Sequence, residues 1–223
     1  MQPVEDVEVA NIGNADIGDD AGVAGPGTRD RAPRRPRADA QRNIDSLLEA
    51  AKAVFGTSGV DAPPKKIAEA AGVGVGTLYR HFPQRSDLVK AVFRREVDAC
   101  ADAAPMLAAA HEPGIALDKW LHRYTEFLAT KRGLAAALHS GDPAFESLPS
   151  YFMQRLEPAL GSLLEAAVAS GDARADVSAE DLLYAVAGLC QPAPGKGPAY
   201  SQRIVALLLD GLRHGARPKQ ADT

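Results

Sequence analysis

Glycine alternates with valine at Gly72, Gly74 and Gly76, and the last of these glycines opens the polar and aromatic stretch GTLYRHFP. These residue types suit contact with a polyanion. Glycine lets backbone N–H groups approach a phosphate closely, and arginine can donate two hydrogen bonds to guanine. A dinucleotide-binding loop would need the spacing G-x-G-x-x-G after a strand. This sequence has G-x-G-x-G after a helical pattern, so it favours a nucleic acid over a dinucleotide.

Two short helical segments flank the glycines and must position these side chains. Residues 64–71 form the first, with Pro64 in its first turn, and residues 75–82 form the second, which Pro83 ends. Gly72 is expected to cap the first helix in the left-handed conformation, because it has no Cβ atom to clash. Two short helices joined by a tight glycine turn make a helix-turn-helix, whose second helix enters the major groove of DNA.

The second helix has an inward apolar face formed by Val75, Leu78 and Phe82. Its other positions are left for the outside, where they could meet base edges and phosphates. They are Gly76, Thr77, Tyr79, Arg80 and His81.

The net charge of −4 argues against a nucleic-acid-binding protein unless the charges are segregated. They are segregated: residues 31–100 carry a charge of +5, whereas residues 1–30 and 101–223 are both acidic. Residues 1–30 are glycine-rich and lack apolar periodicity, which predicts a disordered acidic tail. Residues 31–37 predict an extended basic arm, because its prolines oppose a helix. This arm, with Arg34 and Arg35, is either a solvated linker or a DNA contact.

Helical periodicity continues through the rest of the chain, and no segment shows sustained period-two alternation. The sequence therefore predicts an all-α fold. An amphipathic first helix begins at Gln41 and ends at Gly56 and Gly59, and a fourth helix runs from Ser86 to about Ala104, before Pro105. The further predicted helices are 114–131, 133–139, 149–169, 178–190 and 199–214.

The pattern A-x-x-AGVGVGTLYRHFPQR-x-x-L, within about residues 41–93, resembles the tetracycline-repressor (TetR) family of bacterial transcription regulators, with a weaker likeness to its actinobacterial members. The resemblance implies a three-helix N-terminal head joined by a fourth helix to a C-terminal domain that dimerises and binds an effector. The expected divisions are a tail and arm at 1–37, the DNA-binding domain at 38–85, the helical effector-binding and dimerisation domain at 86–216, and a C-terminal tail at 217–223.

The resemblance also implies roles for single residues. Gly76 and Thr77 match the groove end of the recognition helix, Tyr79 and His81 match a phosphate-contacting pair, and Arg85 matches a further phosphate contact. Arg80 is the candidate for reading a base.

The sequence departs from the family at two helix starts. Pro63 and Pro64 replace the usual Ser or Thr before the second helix, so Lys65 and Lys66 either substitute for that phosphate contact or are simply solvated. Gln84 replaces the usual cap of the fourth helix, which leaves Ser86 as a possible displaced cap.

The C-terminal half has two helices, at 182–189 and 204–212, that are apolar around much of their circumference, which suits a subunit interface. Gly188 and Gly211 would permit helices to approach each other closely, either across such an interface or within one chain. The candidate effector-pocket residues, which could equally be plain core, are Trp120, Tyr124, Phe127, Phe152, Met153 and Tyr184, with His139 and His122 as possible polar contacts.

The resemblance thus implies a dimeric, ligand-responsive regulator. Repression is commoner than activation in the family, so we expect a repressor released from a palindromic DNA operator by a small-molecule effector; the sequence itself does not decide between repressor and activator. The alternative is a helical sensor or protein-interaction module without sequence-specific DNA binding. The five histidines lack HExxH spacing and no GxSxG elbow occurs, so we expect no enzyme, metal or cofactor. Without a long apolar run or signal peptide, we expect no membrane partner and a cytoplasmic location. Cys100 and Cys190 are expected to be buried apolar residues rather than a redox switch.

Overall fold

The computed structural model describes residues 35–191 and 198–214, and the described residues are helical without a strand, which confirms the all-α prediction. A 3-10 turn at Pro143–Phe145, which the sequence pattern did not predict, precedes the seventh helix. The α-helices are α1 (Arg35–Ser58), α2 (Pro64–Ala70), α3 (Val75–His81), α4 (Arg85–Ala110), α5 (Pro113–Gly133), α6 (Ala135–Leu138), α7 (Leu148–Ala169), α8 (Ala179–Leu189) and α9 (Pro198–His214).

The first helix begins earlier than its apolar periodicity predicts. Arg35 and the two residues after it form the first turn of α1, so the prediction of an extended arm is wrong for residues 35–37. A proline is tolerated there because the first four N–H groups of a helix have no intrahelical partner. Arg34, the acidic tail at 1–30 and the C-terminal tail at 217–223 lie outside the described residues.

The fourth helix continues past Pro105, where the sequence pattern predicts that it stops. An internal proline removes one backbone hydrogen bond. Here the apolar surface on both sides of Pro105 keeps the chain helical: Ala104 is buried before it, and Leu107 packs against the core after it. The helix ends at Ala110, where the His111 N–H donates to the Leu107 carbonyl at 3.1 Å.

One core runs through the described residues, from Leu47 in α1 to Leu212 in α9. Helices α1, α2 and α3 form a small N-terminal head, and α4 packs against α1 on one side and against α5 and α7 on the other. Helix α8 lies against α7, and α9 lies against α8. The long helix α4 therefore belongs to both halves of the core.

Candidate nucleic-acid interface and ligand cavity

The turn between α2 and α3 is fixed by backbone hydrogen bonds. Gly72 adopts a φ of +69°, which confirms its expected left-handed conformation. The Val73 N–H donates to the Ala68 carbonyl at 3.0 Å, which closes the end of α2. Gly74 is the extended N-cap residue of α3, and its carbonyl accepts from the Thr77 N–H at 2.9 Å. The glycines thus form the end of α2 and the start of α3, the two helices of a helix-turn-helix.

Helix α3 is held by one apolar side and leaves the other side open. Leu78 is buried, and Phe82, which follows the helix, is buried as well. Tyr79 is 50% exposed and Arg80 is also exposed. A Cβ atom built on Gly76 would meet nothing within 4 Å. An approaching surface therefore has unobstructed access to this side of α3.

The remaining outward candidates on α3 are only partly exposed. Thr77 and His81 are both half-buried, and the His81 ring lies 6.5 Å from the Phe82 ring. All five outward candidates therefore lie on one short helix; Gly76, Tyr79 and Arg80 are exposed, whereas Thr77 and His81 are half-buried.

Three basic candidates outside α3 have protein partners. Arg85, at the start of α4, donates from its guanidinium to the Val60 carbonyl in the α1–α2 connection. Lys66 donates to the Ser58 hydroxyl at 2.7 Å, and Lys65 lies 3.8 Å from the Glu69 carboxylate. Arginine has five N–H groups, so Arg85 keeps donors for a further partner while it holds the α1–α2 connection.

The starts of α2 and α4, which depart from the family pattern, lack the usual Ser or Thr cap. Pro63 precedes α2 and provides no side-chain cap. Gln84 is the N-cap residue of α4, and its backbone N–H donates to the Asp87 carboxylate at 3.2 Å. The expectation that Ser86 caps this helix is wrong, because Ser86 lies within its first turn and its hydroxyl donates to the Gln84 side chain at 3.4 Å.

Ion pairs and a close backbone contact join the head to the rest of the molecule. Lys52 of α1 pairs with Glu96 of α4 at 2.8 Å, and Arg95 donates to the Asp45 carbonyl at 2.9 Å. At the end of α5, a Cβ atom built on Gly133 would lie 2.9 Å from the Phe55 carbonyl oxygen and 3.1 Å from the Gly56 α-carbon. The head is therefore attached to both α4 and α5.

A cavity of about 320 Å³ lies among α4, α5, α7 and α8. Five of the eight candidate effector-pocket residues line it, namely Tyr124, His139, Phe152, Met153 and Tyr184. The lining also includes residues that the sequence pattern did not indicate, among them Phe93 of α4, Phe145 of the 3-10 turn and Lys131 of α5.

The other predicted pocket residues do not line the cavity. Trp120 and Phe127 are buried in the core behind it: Trp120 stacks on Tyr124 at 5.7 Å, and Phe127 stacks on Phe152 at 5.9 Å. Trp120 also donates to the Cys100 carbonyl at 2.9 Å. His122 is exposed, and its ring lies beside the Asp118 carbonyl. Helical spacing identified the correct face of α5 but not the depth of each side chain.

Two polar groups of the cavity wall already have protein partners. The Tyr124 hydroxyl donates to the Leu183 carbonyl at 3.1 Å, and burial raises the pKa of Tyr124. The His139 Nδ1 atom lies 2.8 Å from the Ala135 carbonyl oxygen. A carbonyl only accepts hydrogen bonds, so Nδ1 is the donor and Nε2 is left for another partner.

Lys131 is different, because its ammonium has no such partner. Its Nζ atom lies 5.5 Å from the centre of the Phe152 ring, within the range of a cation–π contact. Within the described residues, no carboxylate lies within 4 Å of it. Burial lowers the pKa of Lys131.

Helices α8 and α9 form an apolar groove on the outside of the molecule. Leu207 is 68% exposed there, and Cβ atoms built on Gly188 or Gly211 would meet nothing within 4 Å. The apolar side chains that line the groove include Leu182, Leu189, Ile204, Leu207 and Leu208.

Neither a metal cluster nor a membrane-spanning helix occurs in the part of the chain that the structure describes. Its His, Cys, Asp and Glu residues form no group of three or more that could hold a metal ion. None of its helices is long and apolar enough to cross a bilayer.

Two family models match separate parts of the chain. Residues 47–92, which cover the second half of α1, helices α2 and α3 and the start of α4, match the family model described as bacterial regulatory proteins, tetR family. Residues 112–214 match the model described as transcriptional regulator SbtR-like, C-terminal domain.

Solved structures support the same assignment over most of the chain. A TetR transcriptional regulator from Streptomyces coelicolor is 38% identical, with 76% of this chain and 98% of that chain covered and a TM-score of 0.66. A TetR transcription regulatory protein from Mycobacterium vanbaalenii is 36% identical, with coverages of 79% and 98% and a TM-score of 0.63.

A curated relative matches over a limited part of the chain. An HTH-type transcriptional regulator from Staphylococcus aureus is 41% identical over 63 residues, which are 28% of this chain. The match spans 34% of that relative's length.

Proposed function

Because the chain belongs to the TetR family of bacterial transcriptional regulators, we propose that it is a dimeric repressor that a small-molecule effector releases from a palindromic operator. The family binds DNA and is not enzymatic. The dimer, the effector and the sign of regulation are the parts of this proposal that go beyond family membership.

The open side of α3 carries the DNA-binding part of the proposal. Arg80 and Tyr79 are exposed beside Gly76, whose missing side chain lets backbone approach the groove. An arginine at this position can pair with the O6 and N7 atoms of guanine, whereas a tyrosine hydroxyl suits a phosphate oxygen. Arg85, Lys65 and Lys66 add positive charge around the helix. Arg34 and Arg35, the latter at the start of α1, stay candidate DNA contacts.

The groove between α8 and α9 supports a homodimer. Leu207 is 68% exposed, and it continues an apolar surface formed by Ile204 and Leu208. A two-fold axis through this surface would bury it against its own copy. Such a dimer would present two α3 helices to DNA, and a palindrome with half-sites about 34–36 Å apart would match that symmetry.

The cavity supports regulation by an effector. Phe93 lines the cavity from α4, and the same helix is tied to the head through Glu96 and Arg95. A ligand that binds one position of α4 better than another shifts the population of the two positions. The change in operator affinity is limited by that difference in ligand affinity.

The proposal is tested by selecting random duplex DNA with the purified full chain at two salt concentrations and sequencing the bound fraction. We expect a palindrome that persists at the higher salt. Weak binding to all sequences that disappears with salt would instead favour the helical sensor or protein-interaction module. Light scattering of the selected complex then gives the number of chains per palindrome.

A further inference from the structure

We propose that the ligand of the cavity among α4, α5, α7 and α8 is an apolar organic acid, and that Lys131 binds its carboxylate. This inference rests on the proposed function only in assuming that the cavity takes a ligand. It adds the chemical class of that ligand and the residue that selects it.

Lys131 carries a positive charge that the surrounding protein does not balance. The lining of the cavity includes Lys131 and His139 but neither Asp nor Glu. Within the described residues, the only contact found for the Lys131 ammonium is the face of Phe152, at 5.5 Å. Moving a cation out of water is unfavourable unless it is paired, and an aromatic face compensates only in part. An anion in the cavity would supply the missing partner.

The rest of the lining favours a hydrocarbon or aromatic body. Apart from Lys131 and the rim residues His139 and Tyr184, the wall consists of aromatic and aliphatic side chains. The buried Tyr124 hydroxyl is already bonded to the Leu183 carbonyl, so it offers no free donor to a polar ligand. A single ammonium on an apolar wall matches one carboxylate at one end of an apolar molecule.

The size of the cavity suits a small molecule. A volume of about 320 Å³ equals that of about ten liquid waters. A medium-chain fatty acid or an arylalkanoic acid has this size. A nucleotide would bring several charges to a cavity with one lysine, which leaves most of them unpaired in an apolar site.

The test compares decanoate with decan-1-ol, which share a chain length but differ in the carboxylate. Trp120 is the only tryptophan in the chain and stacks on Tyr124, a wall residue, so its fluorescence can report binding to the full-length protein. We expect decanoate to bind at least about tenfold more tightly than decan-1-ol, because a charged hydrogen bond to a half-buried ammonium exceeds a neutral one.

Two variants separate the role of Lys131 from a general effect of charge. Lys131→Met should remove the preference for decanoate and leave the affinity for decan-1-ol unchanged or higher. Lys119→Met makes the same change at an exposed position of α5 outside the cavity, so it should keep the wild-type preference.

Equal affinities for the acid and the alcohol, or an unchanged acid preference in Lys131→Met, would overturn the proposed ligand class while leaving the cavity as a ligand site. Failure of octanoate, decanoate, dodecanoate and 4-phenylbutanoate to bind would overturn it as well. Operator selection uses no ligand, so its result stays separate from either outcome.

Discussion

Gly133 and Phe55 bring the ends of α5 and α1 into backbone contact, since a Cβ atom on Gly133 would lie only 2.9 Å from the Phe55 carbonyl oxygen. This contact joins the helix that carries Lys131 to the first helix of the head. A side chain at Gly133 cannot be accommodated by a rotamer change, because the opposing atoms belong to the backbone.

Replacing Gly133 by alanine should therefore destabilise the protein, although alanine is the better helix former. We expect the clash to lower the free energy of unfolding by about 1–3 kcal/mol, measured by urea denaturation. The matched control is Gly161→Ala in α7, where the nearest atom to the new Cβ is 4.0 Å away. That variant should be neutral or more stable by up to about 1 kcal/mol. Equal stability of the two variants would contradict the tight contact.

Lys131→Met should stabilise the protein without a ligand. Burial lowers the pKa of Lys131 in the folded state below its ordinary value of 10.5, so the charged form is disfavoured by folding. At pH 7 the methionine variant should gain about 1 kcal/mol in free energy of unfolding. Between the lowered folded-state pKa of Lys131 and 10.5, the unfolded chain binds more protons than the folded chain. The free energy of unfolding of the wild type should therefore rise relative to that of the variant as the pH approaches 10.5, and the stability advantage of the variant should shrink.

Thermal or urea denaturation at pH 7 and near pH 10 measures this difference. Lys119→Met serves as the reference for general charge effects, because Lys119 is exposed on the same helix. If Lys131→Met lost stability at pH 7 and Lys119→Met did not, the charge of Lys131 would be balanced by a partner in the folded protein, which would contradict the prediction.

Substitutions on α3 should separate base reading from phosphate contact. Arg80→Ala is expected to relax the preference at particular base pairs and cost about 1–3 kcal/mol there, whereas Tyr79→Phe should weaken binding to all sequences alike. Arg85→Ala should also weaken binding uniformly and reduce the salt dependence. Binding titrations on the selected palindrome and its single-base variants measure these effects. A uniform loss for Arg80→Ala would remove its reading role.

Arg85 needs a stability control, because it also donates to the Val60 carbonyl. Part of any loss in Arg85→Ala could therefore come from a displaced α1–α2 connection. Tyr79→Phe keeps the ring and removes only the hydroxyl, which makes it the cleaner probe of a phosphate contact.

Leu207→Glu should disrupt the proposed dimer. Leu207 is 68% exposed in the single chain, and a charge there would be buried without a partner if the α8–α9 groove forms the interface. Light scattering should then show monomers at concentrations where the wild type is dimeric. Met106→Glu introduces the same charge at a 64% exposed position of α4 and should leave the dimer intact. A dimer that survives Leu207→Glu would place the interface elsewhere.

The Cys100 thiol should resist alkylation in the folded protein. Its side chain is 2% exposed, and burial raises its pKa to about 12. Because the thiolate is the reactive species, we expect iodoacetamide at pH 8 to modify Cys100 at least about a hundredfold more slowly in buffer than in urea. Mass spectrometry measures the two rates. Rapid modification of the folded chain would favour the redox-switch interpretation.

The head could be predicted from sequence because its signals are local. The left-handed conformation of Gly72, the stop at Pro83 and the burial of Leu78 all follow from neighbouring residues. The end of α4 could not be predicted from local signals, because packing beyond Pro105 decides whether the helix continues.

The cavity was predicted only in part for the same reason. Tyr124, Phe152 and Tyr184 were selected as aromatic residues on the C-terminal helices, and they do line one cavity. Lys131 was missed because its unpaired state appears only when α5 meets α7. Trp120 was included although it lies behind the wall, because periodicity gives a direction around a helix but no depth.

The length of α4 determines how far the heads would move when the helix tilts. Its 26 residues, at 1.5 Å per residue, make a rod about 39 Å long that starts next to α3 and ends at the far side of the bundle. A tilt of about 5° around that far end moves its first turn by about 3.4 Å. In a symmetric pair both rods move, so the two α3 helices would separate by about 7 Å against a half-site spacing of about 34–36 Å. A rotation of α4 by only a few degrees would thus take the two heads out of step with the turn of the double helix.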